Sequence, residues 1–236
     1  MQIIEVTDFG VRSAVIRLRR RGTPLQFVLY PMIHMAQPAF YAAVTARLAS
    51  ADVVVVEGVG GGRQKRSALM NALTLSYRVL RFNQRVRLVR QHLGYAALGV
   101  PVVRPDVTLE EFTAGWRRIP LAERLTVWCV LPIVVVIRLF GGTRTIWSRS
   151  LERHDLPTPE EEDMADAPPG LDTVLGGERD ERLLAALCRL HEERCGESIE
   201  VAVVYGAAHV PGVVYGMRRR YGYRPRGAEW LTVAEL

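Results

Sequence analysis

Two histidines occupy matching positions in the chain, each just beyond a short apolar run. His34 follows residues 28–30 and His209 follows residues 203–205, both of which are rich in aliphatic side chains. A carboxylate, Glu57, ends a third such run that contains four consecutive valines. Two imidazoles and one carboxylate form an established ligand set for a hydrolytic metal ion with an open coordination position. The spacing therefore predicts a divalent-metal site made by His34, Glu57 and His209.

Each of these residues also has an ordinary structural interpretation. A single histidine at a strand end more often caps or hydrogen-bonds the backbone than binds a metal. Glu57 is harder to explain in that way, because a carboxylate buried without a partner is costly. Its partner could be a metal ion, a histidine or Arg179 at the start of a later helix.

The helices and strands that must position these residues are predicted to form an α/β fold. Residues 11–19 and 24–32 are predicted strands of a hairpin, residues 38–50 a helix, and residues 52–57 a strand buried on both faces. The order strand, helix, strand predicts parallel strands with a right-handed crossover. In parallel sheets the carboxyl ends of the strands converge where ligands bind, so His34 and Glu57 are expected at one edge.

The end of the chain repeats this order of elements. Residues 178–195 form a predicted amphipathic helix, residues 199–205 a second buried strand, and residues 213–221 a helix. One or two short edge strands are expected in the tail. His191 begins a segment similar to the HExxH zinc motif, but Cys195 stands in place of the second histidine, so we expect His191 on the solvated face.

The fold predicted from these patterns is a single α/β domain with a mostly parallel central sheet. Residues 1–58 and 178–236 form its core, and an Arg-rich helical insertion lies between the two halves. The insertion, residues 59–153, contains predicted helices at 64–80 and 83–93 and a strand at 99–104. An acidic, proline-rich loop is expected at 154–177. Thr108 and Glu111 have the spacing of a helix N-cap with its capping-box partner.

Positive charge is concentrated in the middle of the chain. Residues 59–153 contain 16 Lys or Arg against 5 Asp or Glu, although the whole chain has a net charge of only +6. Such a segment indicates either an anionic neighbour or a solvated Arg-rich face. Nucleic acid is not expected as the partner, because Tyr77 and Phe82 are too few aromatic residues for base stacking. An anionic membrane surface remains as an expected partner.

Residues 125–140 form a nearly continuous apolar run that Arg138 interrupts. A spanning helix needs roughly 20 apolar residues, and this run is shorter. Basic flanks and nearby tryptophans are typical of a helix that lies in a membrane surface. A buried core helix and the contact face of a homodimer are the alternatives.

The cysteines and the N-terminus bear on the cellular compartment. Three cysteines without a CxxC pair argue against a disulfide framework and against a structural zinc site. The first residues have neither a basic region nor a long apolar one, so a secretory signal is not expected. We therefore expect a cytoplasmic protein, peripheral on the inner face of the membrane if the apolar run contacts lipid.

Four short segments, in order along the chain, are similar to the motifs of one known family. They are Tyr30-Pro31-Met32-Ile33-His34, Ala51-Asp52-Val53-Val54-Val55-Val56-Glu57, Glu178-Arg179-Asp180 and Val204-Tyr205-Gly206-Ala207-Ala208-His209-Val210-Pro211-Gly212. Together they resemble the TraB/Tiki family, whose pattern is a GxxH turn, a buried strand ending in glutamate, an ERN or ERD helix start and a second GxxH turn. The second turn matches fully, whereas Pro31 replaces the glycine of the first.

This resemblance implies a fold similar to the erythromycin-esterase/ChaN-like superfamily and a metal-dependent hydrolase, with proteolysis reported for Tiki-type members. It implies that His34 and His209 are metal ligands or acid/base groups and that Glu57 holds the metal or activates water. Arg179 would pair with Glu57 or stabilise an oxyanion. The family suggests manganese or cobalt, and zinc is a further candidate; the substrate would be a peptide or small molecule.

A non-catalytic function is the alternative. Bacterial relatives in the family are tied to pheromone shutdown, where sequestration could serve as well as cleavage. The same cleft would then bind a peptide, a signal or haem. Retention of all four polar positions favours the enzyme, and Pro31 favours the binding protein modestly.

Overall fold

The protein is an α/β fold built on a seven-stranded sheet. The computed structural model describes residues 1–58, 87–140 and 177–235, with side chains of the second range described to residue 136. The strands in chain order are β1 (Ile4–Val6), β2 (Gly10–Arg19), β3 (Gln26–Met32), β4 (Met35–Ala36), β5 (Val53–Val56), β6 (Val89–Arg90), β7 (Val102–Val103), β8 (Glu200–Gly206) and β9 (Arg224–Glu235). The helices are α1 (Pro38–Leu48), α2 (Leu109–Arg118), α3 (Leu121–Phe140), α4 (Glu178–Arg194) and α5 (Val210–Tyr221).

The centre of the sheet is parallel, as the sequence predicts. The strand order is β1-β2-β3-β8-β5-β7, and β8 pairs in parallel with both β3 and β5. Every residue of β5 is buried, which explains its unbroken run of valines. The strands β3 and β5 run in the same direction but do not pair, because β8 from the end of the chain lies between them. The position of β8 between β3 and β5 brings the two halves of the sequence together.

The other side of the sheet is antiparallel. The predicted hairpin is present, with β2 paired to β3. The expectation of one or two short edge strands in the tail was wrong: β9 is 12 residues long and pairs with β2 from Gly10↔Glu235 to Arg19↔Arg224. A long partner strand satisfies the backbone groups that β2 would otherwise leave unpaired on that edge.

Residues 87–140, which lie within the predicted insertion, form strands as well as helices. From residue 87 onward the predicted helix at 83–93 is absent, because Val89 and Arg90 form β6 and pair with β4. The predicted strand at 99–104 is confirmed as β7, which extends the parallel sheet beside β5. The helix at 64–80 and the acidic loop, up to residue 176, lie outside the described residues.

The helices α2 and α3 follow β7. The capping box of α2 is confirmed, because Thr108 accepts from the backbone of Glu111 and the Glu111 side chain accepts from the backbone of Thr108. No single described helix is both long and apolar enough to cross a bilayer. The helix α2 and residues Leu121–Val136, bent by 109°, pass that test as a pair on length and composition.

The two helices of the C-terminal half pack together closely. A side chain at Gly216 of α5 would place its Cβ atom 2.5 Å from Leu184 of α4. The helix α5 begins at Val210, earlier than predicted, with Pro211 in its first turn. The expected solvated position of His191 was wrong. Its side chain is buried, with Nδ1 at 3.1 Å from the Tyr223 hydroxyl.

Candidate functional site

Glu57 lies directly beyond β5, at the carboxyl edge of the parallel strands. Its backbone N–H donates to Val204 of β8, so the residue continues the ladder between the two strands. Oε2 accepts from the backbone N–H of Gly206 at 2.6 Å, and Oε1 accepts from Arg179 at 2.6 Å. Only 15% of the side chain is exposed. The carboxylate is therefore fixed in orientation by a donor on each oxygen.

Arg179 joins Glu57 to a second carboxylate, Asp106. The guanidinium, in the first turn of α4, donates to both oxygens of Asp106, at 2.8 Å from Nε and 2.7 Å from Nη2. The Asp106 side chain is 1% exposed and also accepts from the backbone N–H of Gly58. Sequence reasoning missed Asp106. The signal was available, because this carboxylate stands just beyond a short strand, as Glu57 does.

His209 faces the Glu57 carboxylate from the turn after β8. Its Nδ1 lies 2.5 Å from Oδ1 of Asp180, and its Nε2 lies 3.6 Å from Oε1 of Glu57. The imidazole side chain is 7% exposed. Because Asp180 is an acceptor, Nδ1 carries the proton, and the ring is oriented with Nε2 toward Glu57. Asp180 follows Arg179 in the motif Glu178-Arg179-Asp180 at the start of α4. The sequence predicts no role for Asp180 itself.

Two glycines flank the turn after β8, Gly206 at the end of β8 and Gly212 in the first turn of α5, and steric contacts explain why both are glycine. A Cβ atom at Gly206 would lie 3.2 Å from Oε2 of Glu57 and 3.6 Å from the His209 ring. A Cβ atom at Gly212 would lie 3.1 Å from Oδ2 of Asp180. Both glycines therefore let a carboxylate approach the backbone closely.

His34 lies between β3 and β4, where its backbone carbonyl accepts from the N–H of Gln91 at 2.9 Å. Its side chain is half-buried and contributes to the field that acts on Glu57. The structure thus gathers Glu57, Arg179 and His209 by direct contacts, and it links His34 to Glu57 electrostatically. Across residues 1–58, 87–140 and 177–235, no three or more His, Cys, Asp or Glu side chains form a ready metal-binding group.

The charges of the site shift its pKa values in opposite directions. Burial raises the pKa of Glu57, but the facing His209 and the Arg179 guanidinium outweigh burial and hold that pKa well below its usual range. Burial lowers the pKa of His209, but the carboxylates of Asp180 and Glu57 raise it to about 9. At neutral pH the metal-free site therefore contains an imidazolium opposite a carboxylate.

Comparison with models of protein families, with curated proteins and with solved structures finds no match. The chemistry of the site has to be inferred from its own residues.

Replacing Arg179 with leucine should destabilise the fold strongly. It would leave Glu57 and Asp106 buried without their shared cation, and breaking such a buried pair costs about 3–5 kcal/mol. Arg182, on the same helix, donates to Glu111 in an exposed pair with side chains 39% and 44% accessible. Arg182→Leu is therefore the matched control, with an expected loss below about 1 kcal/mol. Urea unfolding of both variants measures the difference, and equal losses would contradict the buried role of Arg179.

The metal-free protein should lose stability at alkaline pH through His209. The folded pKa of about 9 exceeds the ordinary value of 6.5, so the stabilisation is fully present below about pH 6.5 and is lost as pH rises through 9. The difference corresponds to a contribution on the order of 3 kcal/mol. Urea unfolding between pH 6 and pH 10 with a chelator present should show this decline, and His209→Gln should lack it. A wild-type curve parallel to that of His209→Gln would show that the imidazole is not stabilised as a cation.

Proposed function

We propose that the protein is a metal-dependent hydrolase that acts on an amide or ester, with a peptide as one candidate substrate. The observation that carries this proposal is the pair of buried atoms Nε2 of His209 and Oε1 of Glu57, which face each other at 3.6 Å. The other polar atoms of both side chains are held by protein donors or acceptors. The side chains of a hydrolytic site made of these residues would therefore be oriented before a ligand binds.

The separation of the two facing atoms fits a shared metal ion. Two ligand atoms, each about 2.1 Å from a first-row divalent ion at a tetrahedral angle, lie about 3.4 Å apart. The Nδ1 contact of His209 with Asp180 is the outer-shell carboxylate that metal-binding histidines usually have. His34, half-buried between β3 and β4, is the candidate for a third ligand.

The charge of the site also favours a divalent cation. Three carboxylates, on Glu57, Asp106 and Asp180, surround the cations of Arg179 and protonated His209. Their sum is −1, and it becomes −2 when His209 gives up its proton to bind a metal. A divalent ion would neutralise this remaining charge. Manganese, cobalt and zinc are the candidates, and imidazole together with carboxylate ligands suits all three.

In this proposal each side chain has a separate task. A bound divalent ion would supply Lewis acidity that activates water and polarises the scissile carbonyl group. Glu57 and His209 would hold the ion, with Glu57 as the alternative general base. Asp180 would keep the His209 ring in the tautomer that presents Nε2. Arg179 donates to two carboxylates, those of Glu57 and Asp106, which favours a role in fixing Glu57 over direct oxyanion stabilisation.

The ordered motifs described above add independent support, because the resemblance to the TraB/Tiki family implies the same residues. A second candidate is a non-catalytic protein of that fold that binds a peptide, a signal or haem. The observation in its favour is that both oxygens of Glu57 already accept hydrogen bonds. In that case Glu57 is mainly a structural partner of Arg179.

The purified protein should bind about one Mn²⁺ per chain and release about one proton for each ion at pH 7.5. The proton comes from His209, because its pKa of about 9 keeps the ring protonated until metal displaces the proton. Calorimetric titration in two buffers of different ionisation enthalpy measures both numbers. His209→Ala should lose the ion. His92→Ala is the matched control, because that imidazole is exposed.

Glu57→Gln then separates the two candidate functions. The hydrolase requires this variant to stay folded while it loses metal-dependent cleavage of ester and peptide substrates. Unfolding of the variant would make Glu57 a structural residue. Absence of bound Mn²⁺, Co²⁺ or Zn²⁺ in the wild-type protein would contradict the hydrolase and favour the binding protein.

The helix α3 supports a further proposal about location, a peripheral position on an anionic membrane surface. None of the described side chains from Leu121 to Val136 is buried, and most of them are apolar. Leu125 and Ile133 are 53% and 58% exposed. An apolar helix with most of its surface exposed is unfavourable in water. Arg117 and Arg118, exposed in the last turn of α2, supply charge that complements acidic lipids.

Vesicle sedimentation tests this location. The protein should sediment with vesicles that contain phosphatidylglycerol and much less with neutral phosphatidylcholine vesicles. Leu125→Gln combined with Ile133→Gln should weaken binding by at least about tenfold, because two large apolar side chains no longer enter the bilayer. Phe9→Gln, at another surface residue that is 85% exposed, is the control. If the double variant instead dissociates a dimer and vesicles bind neither protein, α3 is a dimer face.

A further inference from the structure

A buried tyrosine hydroxyl lies beside the candidate site. Tyr205 is 2% exposed, and among residues 1–58, 87–140 and 177–235 its enclosed hydroxyl oxygen has no hydrogen-bond partner. A hydroxyl removed from water in this way destabilises the fold unless a ligand or a water molecule satisfies it. Tyr41, which is also buried, differs: its hydroxyl donates to the carbonyl of Ile33 at 2.8 Å.

Tyr205 lies next to two residues of the site, Gly206 and His209. It is the second-to-last residue of β8, immediately before Gly206, whose N–H holds Glu57. Its ring packs edge-on against the His209 ring, with the centroids 5.6 Å apart. The ring orientation of His209 thus depends on Asp180 at one nitrogen and on the Tyr205 ring at one face.

The electrostatic surroundings keep this hydroxyl protonated. Burial raises the pKa of Tyr205, and the carboxylates of Asp106 and Glu57 raise it further, above the ordinary value of 10. A neutral phenol is a hydrogen-bond donor. Neutral donors beside a hydrolytic centre stabilise the negative charge that develops on a carbonyl oxygen.

We propose that the Tyr205 hydroxyl donates a hydrogen bond to the carbonyl oxygen of the substrate in the Glu57–His209 site. This inference deepens the proposed hydrolase and rests on it for the nature of the substrate, an amide or ester. Arg179 is already bonded to Glu57 and Asp106, and the N–H of Gly206 is bonded to Glu57. The phenol supplies a donor that these contacts do not use.

The test uses acetohydroxamate, a small probe that presents a carbonyl oxygen and an ionisable N–OH group. It is titrated calorimetrically into the whole chain, once without metal and once with Mn²⁺. Tyr205→Phe removes a single oxygen atom and keeps the ring. We expect the variant to bind the probe about 10- to 100-fold more weakly, which is the effect of one lost hydrogen bond to a charged group.

Thermal unfolding distinguishes this role from a structural one. The Tyr205 hydroxyl has no partner in the free protein, so Tyr205→Phe should melt at the wild-type temperature or slightly above it. Tyr223→Phe is the matched control at a distant position, because the Tyr223 hydroxyl bonds Nδ1 of His191. That variant should melt at a lower temperature and bind the probe as the wild type does. A shift of the tyrosine absorbance band on probe binding, present in the wild type and absent in Tyr205→Phe, provides a second readout.

The results separate this inference from the hydrolase itself. Equal affinity of the wild type and Tyr205→Phe, or no binding of the probe to the wild type under either condition, would overturn the role of Tyr205. Weaker binding by Tyr205→Phe supports that role even in a protein that takes up no metal, and it would then contradict only the hydrolase. Once a substrate is known, Tyr205→Phe should lower kcat with little change in KM.

Discussion

The ion pairs of Arg179 with Glu57 and Asp106 hold together three parts of the chain that are far apart in sequence. Glu57 follows β5, Asp106 follows β7, and Arg179 begins α4. Three charged side chains removed from water would destabilise the fold severely if any of them lacked its partners. The arrangement is stable because the guanidinium spreads its donors over both carboxylates and two backbone N–H groups satisfy remaining oxygens. The start of α4 is thereby held against the carboxyl edge of the sheet.

That position of α4 makes the candidate site possible. Asp180 follows Arg179 directly, so the ion pairs that anchor the helix also bring Asp180 to Nδ1 of His209. His209 approaches from the turn after β8, between Gly206 at the end of β8 and Gly212 in the first turn of α5, and both glycines leave room for carboxylates. The orientation of the imidazole and of the carboxylates is thus a consequence of one anchored helix and of two glycines that flank one turn.

The chain combines this buried polar site with an unusually apolar surface. The helix α3 exposes leucine, isoleucine and valine side chains along its described length, and Arg117 and Arg118 lie at the end of the preceding helix. Polar groups are thus enclosed at the sheet edge, while apolar groups face outward on α3. The first arrangement is stable only with satisfied hydrogen bonds, and an exposed apolar face of the second kind is typical of interaction surfaces.

Local patterns in the sequence determined the α/β class, the buried valine strand, the capping box of α2 and the candidate residues Glu57, Arg179 and His209. The α/β class, the valine strand and the capping box are confirmed, because strand periodicity and capping are properties of neighbouring residues. The candidate residues stay a prediction, which the cost of a buried carboxylate motivates. Tertiary structure alone decided that β8 lies between β3 and β5, that Asp106 shares Arg179, and that Asp180 orients His209. It also decided that Val89 and Arg90 form a strand, because their partners, Met35 and Ala36, are distant in sequence. The burial of His191 and of the Tyr205 hydroxyl was likewise decided by the tertiary structure. Which side chains share a buried volume depends on the pairing of distant strands, and no local pattern encodes that pairing.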